Sequence, residues 1–365
     1  MKKFQIKEYS VIPPPYGGVS VYLYRLIRRL NEDGISTGGY YLKECNDSEI
    51  LNSQLFDCFE WDNNMSGLKK IVLHVSRILK AVQHYEVIHI HGQELIYLHA
   101  LMLLFRRVKI VVTVHNSMIV NFYYKSSFFT KWGLRYLAEQ DVQWIAVSQE
   151  SKQELLKLPF SFRNDIEVIP AYIPDDDSCN SLPHEMIQYI SSHKKNISFY
   201  GRSFMMHNGE DVYGFKTIIR AYSGIKSRMN LSVGLVLCIS DTSNSERIKE
   251  LRNYASEFEV ENDIFWQIGG IKGIKNLWHL SDLYIRPTST DGDSVAVRDA
   301  IAEGAYVIAS DVCIRPDEVV LYRYNDDNDL INKSLAILQQ TRRKAVNVET
   351  FYKQMKDIYI KELSK

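Results

Sequence analysis

Short apolar, β-branched runs alternate with stretches of helical periodicity along the whole chain, and they do so in two series. In the first, strand candidates lie at Lys3 to Val11, Val87 to His91, Ile110 to His115, Trp144 to Val147 and Ile166 to Ile169. Helical spacing separates them over Gly18 to Leu30, Leu68 to Tyr85, Leu95 to Phe105 and from Ser148, a natural N-cap, through Leu158. Strands joined by helices of roughly ten to fifteen residues cannot be hairpin partners, so they predict parallel βαβ units in an open, doubly wound sheet. Between Pro170 and Leu182 the pattern breaks into I-P-A-Y-I-P-D-D-D-S-C-N-S-L, whose prolines and consecutive aspartates mark a linker. The second series then begins. It has strands at Ile197 to Tyr200, Ser232 to Ile239, Ile264 to Gln267, Leu283 to Arg286 and Tyr306 to Ala309, with helices at Gly214 to Ile225, Ser245 to Phe258 and Ser294 to Glu303.

The fold class expected is α/β, with two facing Rossmann-like domains, a cleft between them and ligands at the carboxyl ends of the strands. The boundaries read as residues 1–175 for the first domain and 176–345 for the second. Residues 346–365 form an exposed terminal helix with the option of packing back on the first domain. A chain of 365 residues fits two domains, and 45% hydrophobic against 24% charged residues supplies a sizeable core. Lysine plus arginine and aspartate plus glutamate both number 44, which argues against a nucleic-acid binder. Five scattered cysteines without a C-x-x-C pair exclude a disulfide framework and a zinc ribbon. With no apolar segment after Met1-Lys2-Lys3 and no run long enough to span a bilayer, a cytoplasmic protein is expected, peripheral on the inner face of the membrane at most.

Three stretches carry candidate chemistry. Pro13-Pro14-Pro15-Tyr16-Gly17-Gly18 joins the first strand to the first helix, and paired glycines there bring backbone amides close to an anion; a plain tight turn would use the same residues. Neither a G-x-G-x-x-G fingerprint nor a Walker loop is present. His89 and His91 lie two apart on a strand and face one side, while His115 closes the next strand. Metal ligation by that histidine pair needs a third ligand that the spacing does not nominate. The third stretch is Pro287-Thr288-Ser289-Thr290-Asp291-Gly292-Asp293-Ser294, running into Val295-Ala296-Val297-Arg298-Asp299. There a strand ends, an acidic glycine turn follows and a helix begins. Amides of Ser294 and Val295 suit a phosphate, whereas Asp291 and Asp299 suit hydroxyl groups, one set on a sugar and one on a ribose.

These motifs occur in a fixed order: G-G-V-S-V-Y, H-I-H, V-T-V-H-N, A-V-S, V-I-P, G-R at 201–202, and D-x7-D-A-I-A-E-G-A-Y-V-I-A-S-D. The ordered set resembles glycosyltransferase family 4, retaining enzymes of the GT-B fold, over almost the whole chain. The R-P-T-x-T-D-G-D-S wording resembles the bacterial capsule and O-antigen branch. The resemblance implies transfer of a hexose from a UDP- or GDP-sugar with retained configuration, no metal and no other cofactor. It places Asp291 on the donor sugar, Asp299 on the ribose hydroxyls, the Ser294 and Val295 amides with Arg202 on the diphosphate, and His115 near the reacting sugar. Gly17 and Gly18 would lie near donor and acceptor, and the base near Ile268-Gly269. The departing phosphate would take the acceptor's proton, which leaves His115 to position or polarise. Two departures stand out: Asp replaces Glu at both acidic positions, and Tyr213-Gly214 stands where Lys-Gly is common, with Lys216 three residues on.

Between residues 64 and 138, ten lysines and arginines face two acids, interleaved with Phe122, Tyr123, Tyr124, Phe128, Phe129, Trp132 and Tyr136. Such a surface suits an anionic membrane and a lipid-linked oligosaccharide acceptor, and a solvated face over core aromatics reads the same way. Two rival functions stay open: a non-hydrolysing sugar-nucleotide epimerase, and a non-catalytic glycosyltransferase-like scaffold.

Overall fold

The computed structural model describes residues 5–12, 18–42, 45, 48–59, 67–92, 96–104, 108–115, 118–174, 181–207, 209–271, 273–292, 294–345 and 350–365. Gly17, the prolines before it, Glu94, Arg106, Arg107 and Asp293 lie outside the described residues. The chain divides into two compact units, Met1–Ile173 with Glu349–Lys365, and Pro174–Val348.

In the first unit the order is β1 (Ile6–Val11), α1 (Gly18–Glu32), β2 (Thr37–Leu42), α2 (Ser48–Asn52), β3 (Phe56–Phe59), α3 (Gly67–His84), β4 (Val87–Ile90) and α4 (Ile96–Ala100). After these come β5 (Lys109–Val114), α5 (Ile119–Lys125), α6 (Phe128–Glu139), β6 (Gln143–Ala146), α7 (Gln149–Leu156) and β7 (Glu167–Val168). The strands pair in parallel in the order β3-β2-β1-β4-β5-β6-β7. Central strands of such a sheet are covered on both faces, which is why Ile110 to Val114 is apolar except for Thr113. Successive side chains feed opposite cores: Val112 joins Ile88, Leu134 and Trp144, whereas Val111 joins Ile6, Leu23 and Ile145. The run from Leu95 to Phe105, expected as one helix, is α4 followed by a 3-10 turn at Leu101–Leu104, with Leu95 and Phe105 outside the described residues.

The second unit runs α8 (His184–Ser191), β8 (Lys195–Gly201), β9 (Met206–His207), β10 (Glu210–Asp211), α9 (Phe215–Arg228), β11 (Val233–Ile239), α10 (Ser245–Glu257) and β12 (Ile264–Ile268). It continues with α11 (Ile274–Leu280), β13 (Leu283–Arg286), α12 (Val295–Ala302), β14 (Tyr306–Ser310), β15 (Val320–Tyr322) and α13 (Asp327–Leu338). Its sheet, β12-β11-β8-β13-β14-β15, is parallel, and β9 with β10 makes a separate antiparallel pair. Both sheets reverse their strand order once, between β1 and β4 and between β8 and β13. In open α/β sheets ligands bind at that reversal, beyond the carboxyl ends.

The terminal helix, α14 (Thr350–Ser364), is not an exposed appendage. Met355, Ile358 and Tyr359 recur at helical spacing, and all three are buried in the core that holds Ile6, Leu23 and Val111 of the first unit. The helix carries charged residues as well, and they share it with this apolar stripe. Burying one large apolar side chain contributes about 1.5–3 kcal/mol, so the stripe is a substantial anchor. Among the described residues no helix is long and apolar enough to cross a membrane.

Candidate active site

At the strand reversal of the first unit, β1 and β4 lie side by side with Glu8 opposite His89. Glu8 is fully buried. Its Oε2 lies 2.6 Å from His91 Nε2 and 3.1 Å from His89 Nδ1, and its Oε1 accepts the Tyr359 hydroxyl at 2.7 Å. The other nitrogen of His91, Nδ1, meets His115 Nε2 at 2.9 Å, and His89 Nε2 meets Thr113 Oγ1 at 2.7 Å. Tyr22 of α1, itself buried, sets its ring edge toward both His91 and His115.

Burial alone would raise the pKa of Glu8, but His89 and His91 outweigh it and hold the carboxyl far below the usual range. Burial drives His91 down to about 4, assisted by His89 and opposed by Glu8. His115 is pushed well below an ordinary imidazole by burial and then by His91. At neutral pH this is therefore one carboxylate with His91 and His115 uncharged. Glu8 is the third metal-capable residue that the histidine spacing lacked, and its ligand atom lies within 4.8 Å of those of His89 and His91. Two ligands on one tetrahedral zinc stand roughly 3.3 Å apart, given bonds of about 2.0–2.1 Å. The 2.6 Å separation of Glu8 and His91 is a hydrogen-bond distance instead.

Most of the remaining candidates follow the carboxyl ends of β8, β12 and β13, on one edge of the second sheet. Arg202 follows Gly201 at the end of β8, and its carbonyl accepts the Asp241 N–H at 2.9 Å. Gly269 follows β12 with φ +100°, a backbone state open to glycine, and donates its N–H to the Ile239 carbonyl at 2.8 Å. Ser294 is the N-cap of α12, Val295 opens the helix, and Asp299 is buried on it. The Ser294 hydroxyl makes no capping hydrogen bond. Gly18 is the exposed first residue of α1, in the other unit.

Asp291 sits in a setting that its sequence neighbours do not reveal. Arg286 grips it with both Nε at 2.9 Å and Nη2 at 3.2 Å, and Arg315 donates Nη1 at 2.7 Å. Burial opposes ionisation, yet the two guanidinium groups prevail and bring its pKa to about 2. Three buried charges thus sum to a cationic group beside the start of α12. Arg286 also lies 5.1 Å from the ring centroid of Tyr213, the residue found where Lys is common. Lys216 does not join this group: its ammonium is 5.0 Å from the Tyr254 ring on α10. Before α9, Asp211 accepts from Tyr213 N at 3.0 Å and, at the first residue of the helix, from Phe215 N at 2.7 Å.

Glu8, Tyr359, Arg286 and Arg315 are the residues that motif reading passes over. One signal was available: Lys7-Glu8 places two charges inside a central parallel strand, where apolar residues are the rule. Lys7 points to the opposite face and is satisfied there by Asp57 at 2.6 Å and the Gly39 carbonyl at 2.9 Å.

The basic aromatic segment divides. Phe122, Tyr123 and Tyr136 pack against the core, whereas Tyr124, Phe128, Phe129 and Trp132 are exposed, Phe128 by 77%. Helix α3 adds Leu68, Val72 and Leu79, which are exposed and spaced to fall on one side of the helix.

Residues 16–177 match the family model described as Glycosyltransferase Family 4. No curated protein matches the sequence. HepE of Anabaena, solved in complex with UDP and glucose, is 14% identical with a TM-score of 0.70, over 98% of this chain and 100% of that one. A glycosyltransferase from Rickettsia africae is 15% identical with a TM-score of 0.67, over 100% and 94%. Sucrose-phosphate synthase from Thermosynechococcus elongatus is 16% identical with a TM-score of 0.68, over 99% of each chain. At such identities the shared property is the fold.

Proposed function

We propose, from the premise that the chain is a GT-B glycosyltransferase with a family 4 domain over residues 16–177, that it transfers a hexose from a UDP- or GDP-sugar, with retention, to a lipid-linked saccharide. The observation that carries the reading is the carboxyl edge of the second sheet, where Arg202, Gly269 and the start of α12 follow β8, β12 and β13, together with the Arg286–Asp291–Arg315 group beside that helix. HepE was solved with UDP and glucose, which supports a nucleotide-sugar donor here.

The chemical difficulty is the departure of a diphosphate from an oxocarbenium-like carbon. The bond from the anomeric carbon to the diphosphate oxygen breaks, the acceptor oxygen bonds to the same face, and the acceptor's proton passes to the departing phosphate. A helix N-terminus, Arg202 and the net positive arginine group are fixed before the charge develops, the condition under which such groups lower a barrier most. Removing one contact of this kind costs on the order of 3 kcal/mol. Asp299 is assigned to the ribose hydroxyls and His115 to the sugar. Asp291, already holding two arginines, is assigned to the sugar through whatever acceptor capacity they leave.

The acceptor assignment draws on the exposed aromatic side chains of α5 and α6 and the apolar stripe of α3, flanked by Lys69, Lys80 and Lys125. Apolar anchors with lysines beside them fit an anionic bilayer surface. A role in surface polysaccharide synthesis, of the capsule or O-antigen kind, follows from such an acceptor. The lipopolysaccharide outer core galactosyltransferase WaaB, 11% identical with a TM-score of 0.61, is compatible with it.

The test is a thermal-shift panel of UDP, GDP and their hexose conjugates on the wild type and Asp299→Ala. A nucleotide at 100 times its dissociation constant adds about 2.7 kcal/mol of stability. One nucleotide series should stabilise the wild type and lose its effect in the variant. Indifference to every nucleotide would remove the transferase reading and leave a binding scaffold.

A further inference from the structure

We infer that Glu8, acting through His91, is a positioning residue that fixes which nitrogen of His115 carries the proton, and that Tyr359 of the terminal helix holds Glu8 in place to do so. The inference rests on the proposed transfer reaction only in assigning His115 to the sugar; the tautomer itself follows from counting donors with His91 and His115 uncharged.

Ionised Glu8 can only accept. The Tyr359 hydroxyl has one proton and gives it to Glu8 Oε1, so its contact with His89 Nδ1 must be one in which the imidazole donates. His91 Nε2, 2.6 Å from Glu8 Oε2, must likewise carry hydrogen. An uncharged His91 then has a bare Nδ1, which accepts from His115 Nε2–H across 2.9 Å. An uncharged His115 has no second proton, so its Nδ1 is the acceptor. The order carboxylate, imidazole, imidazole works as an Asp–His pair does in a hydrolase, where the buried acid selects the tautomer of the group that meets substrate. A sugar hydroxyl that reaches His115 therefore finds a hydrogen-bond acceptor. Without the carboxylate the same ring can present N–H there, and that hydroxyl must then turn to accept and give up the partner it accepted from before.

Other features carry less. The Glu8–His89–His91 cluster as a metal centre is opposed by its hydrogen-bond separations and complete burial, and the exposed aromatic face already belongs to the proposed acceptor.

The experiment is a long-range proton–nitrogen NMR spectrum of protein labelled with nitrogen-15 histidine, recorded without ligand, for wild type, Glu8→Gln and Tyr359→Phe. The wild type should show His91 and His115 as Nε2–H tautomers. Glu8→Gln, whose amide can donate toward His91, should move His115 toward Nδ1–H. Tyr359→Phe keeps the packing, removes the hydroxyl and should cause a smaller change in the same direction; it carries the test alone if Glu8→Gln does not fold. Binding supplies the second readout. Glu8→Gln should weaken the nucleotide sugar roughly three- to tenfold, the factor one hydrogen bond is worth, and leave the free nucleotide unchanged. Combined with His115→Ala it should weaken binding no further. An Nδ1–H tautomer in the wild type, a spectrum of His115 indifferent to both variants, or equal weakening of nucleotide and nucleotide sugar overturns the inference. Failure of the wild type to bind any nucleotide sinks the transfer reading instead, and the ligand-free spectrum still decides the tautomer.

Discussion

Asp291 holds two buried arginines together, so its removal uncovers charge. Asp291→Asn leaves two guanidinium groups facing a neutral amide, and breaking a buried pair in this way costs about 3–5 kcal/mol. Urea unfolding should show that loss, and a change below about 1 kcal/mol would mean that the arginines find other compensation. The acid dependence has a definite sign. Its folded pKa of about 2 lies below the ordinary 3.8, so its contribution is present above 3.8 and disappears as pH falls toward 2. His91 acts in a higher window. With a folded pKa of about 4 against 6.5, the unfolded chain binds the extra proton first, and stability falls as pH drops from 6.5 to 4. Glu8, depressed from 4.5, adds to the loss below that value. The slope of stability between pH 6.5 and 4, read from unfolding curves, should therefore flatten in His91→Gln. The sequence displays the D-G-D and H-x-H spellings, and hence where charge and imidazole concentrate. It does not display what they pair with, because Glu8 and Tyr359 are 351 positions apart and Arg315 lies 24 beyond Asp291.

Gly214 caps the start of α9 with φ +74°, and a Cβ there would stand 2.3 Å from the Pro287 carbonyl oxygen. Gly34 has a similar φ of +80° but nothing within 4 Å. Gly34→Ala should thus cost only left-handed strain, about 1–2 kcal/mol, whereas Gly214→Ala should cost more and also weaken nucleotide binding by separating α9 from the loop before α12. Equal losses in the two variants would contradict the close approach. Elements whose whole pattern is local were readable: β13 occurs over the residues that its Leu-Tyr-Ile run predicts. β2 was not. Its Thr37-Gly38-Gly39 opening has the composition of a turn, yet at Gly39 the space a Cβ would take is filled by the tip of Ile27 of α1, 2.5 Å away. That is a tertiary contact, and no local rule reports it.

At the scale of the molecule, two sheets reverse their strand order at one place each, and alternation of strand and helix along the sequence is enough to expect such a frame. The surface is harder to read, since core and exposed aromatics of α5 and α6 are spelled alike. If the exposed ones dock on lipid, Phe128→Ser with Trp132→Ser should reduce cosedimentation with anionic vesicles more than tenfold, at about 1.5–3 kcal/mol per buried aromatic, while nucleotide-induced stabilisation persists. High salt should weaken what remains. Cosedimentation that ignores the double substitution would remove the lipid assignment for this face. Finally, α14 closes the core of the first unit, although the whole second unit separates it from the strands it covers. A ribosome therefore releases β1 long before the helix that seals it exists. Throughout synthesis of residues 174–348, Glu8 and its histidines wait uncovered, and the two units cannot mature strictly one after the other. A message cut short within the second unit would yield a chain whose front half can be drawn but not shut, and quality-control proteases would meet that open face first.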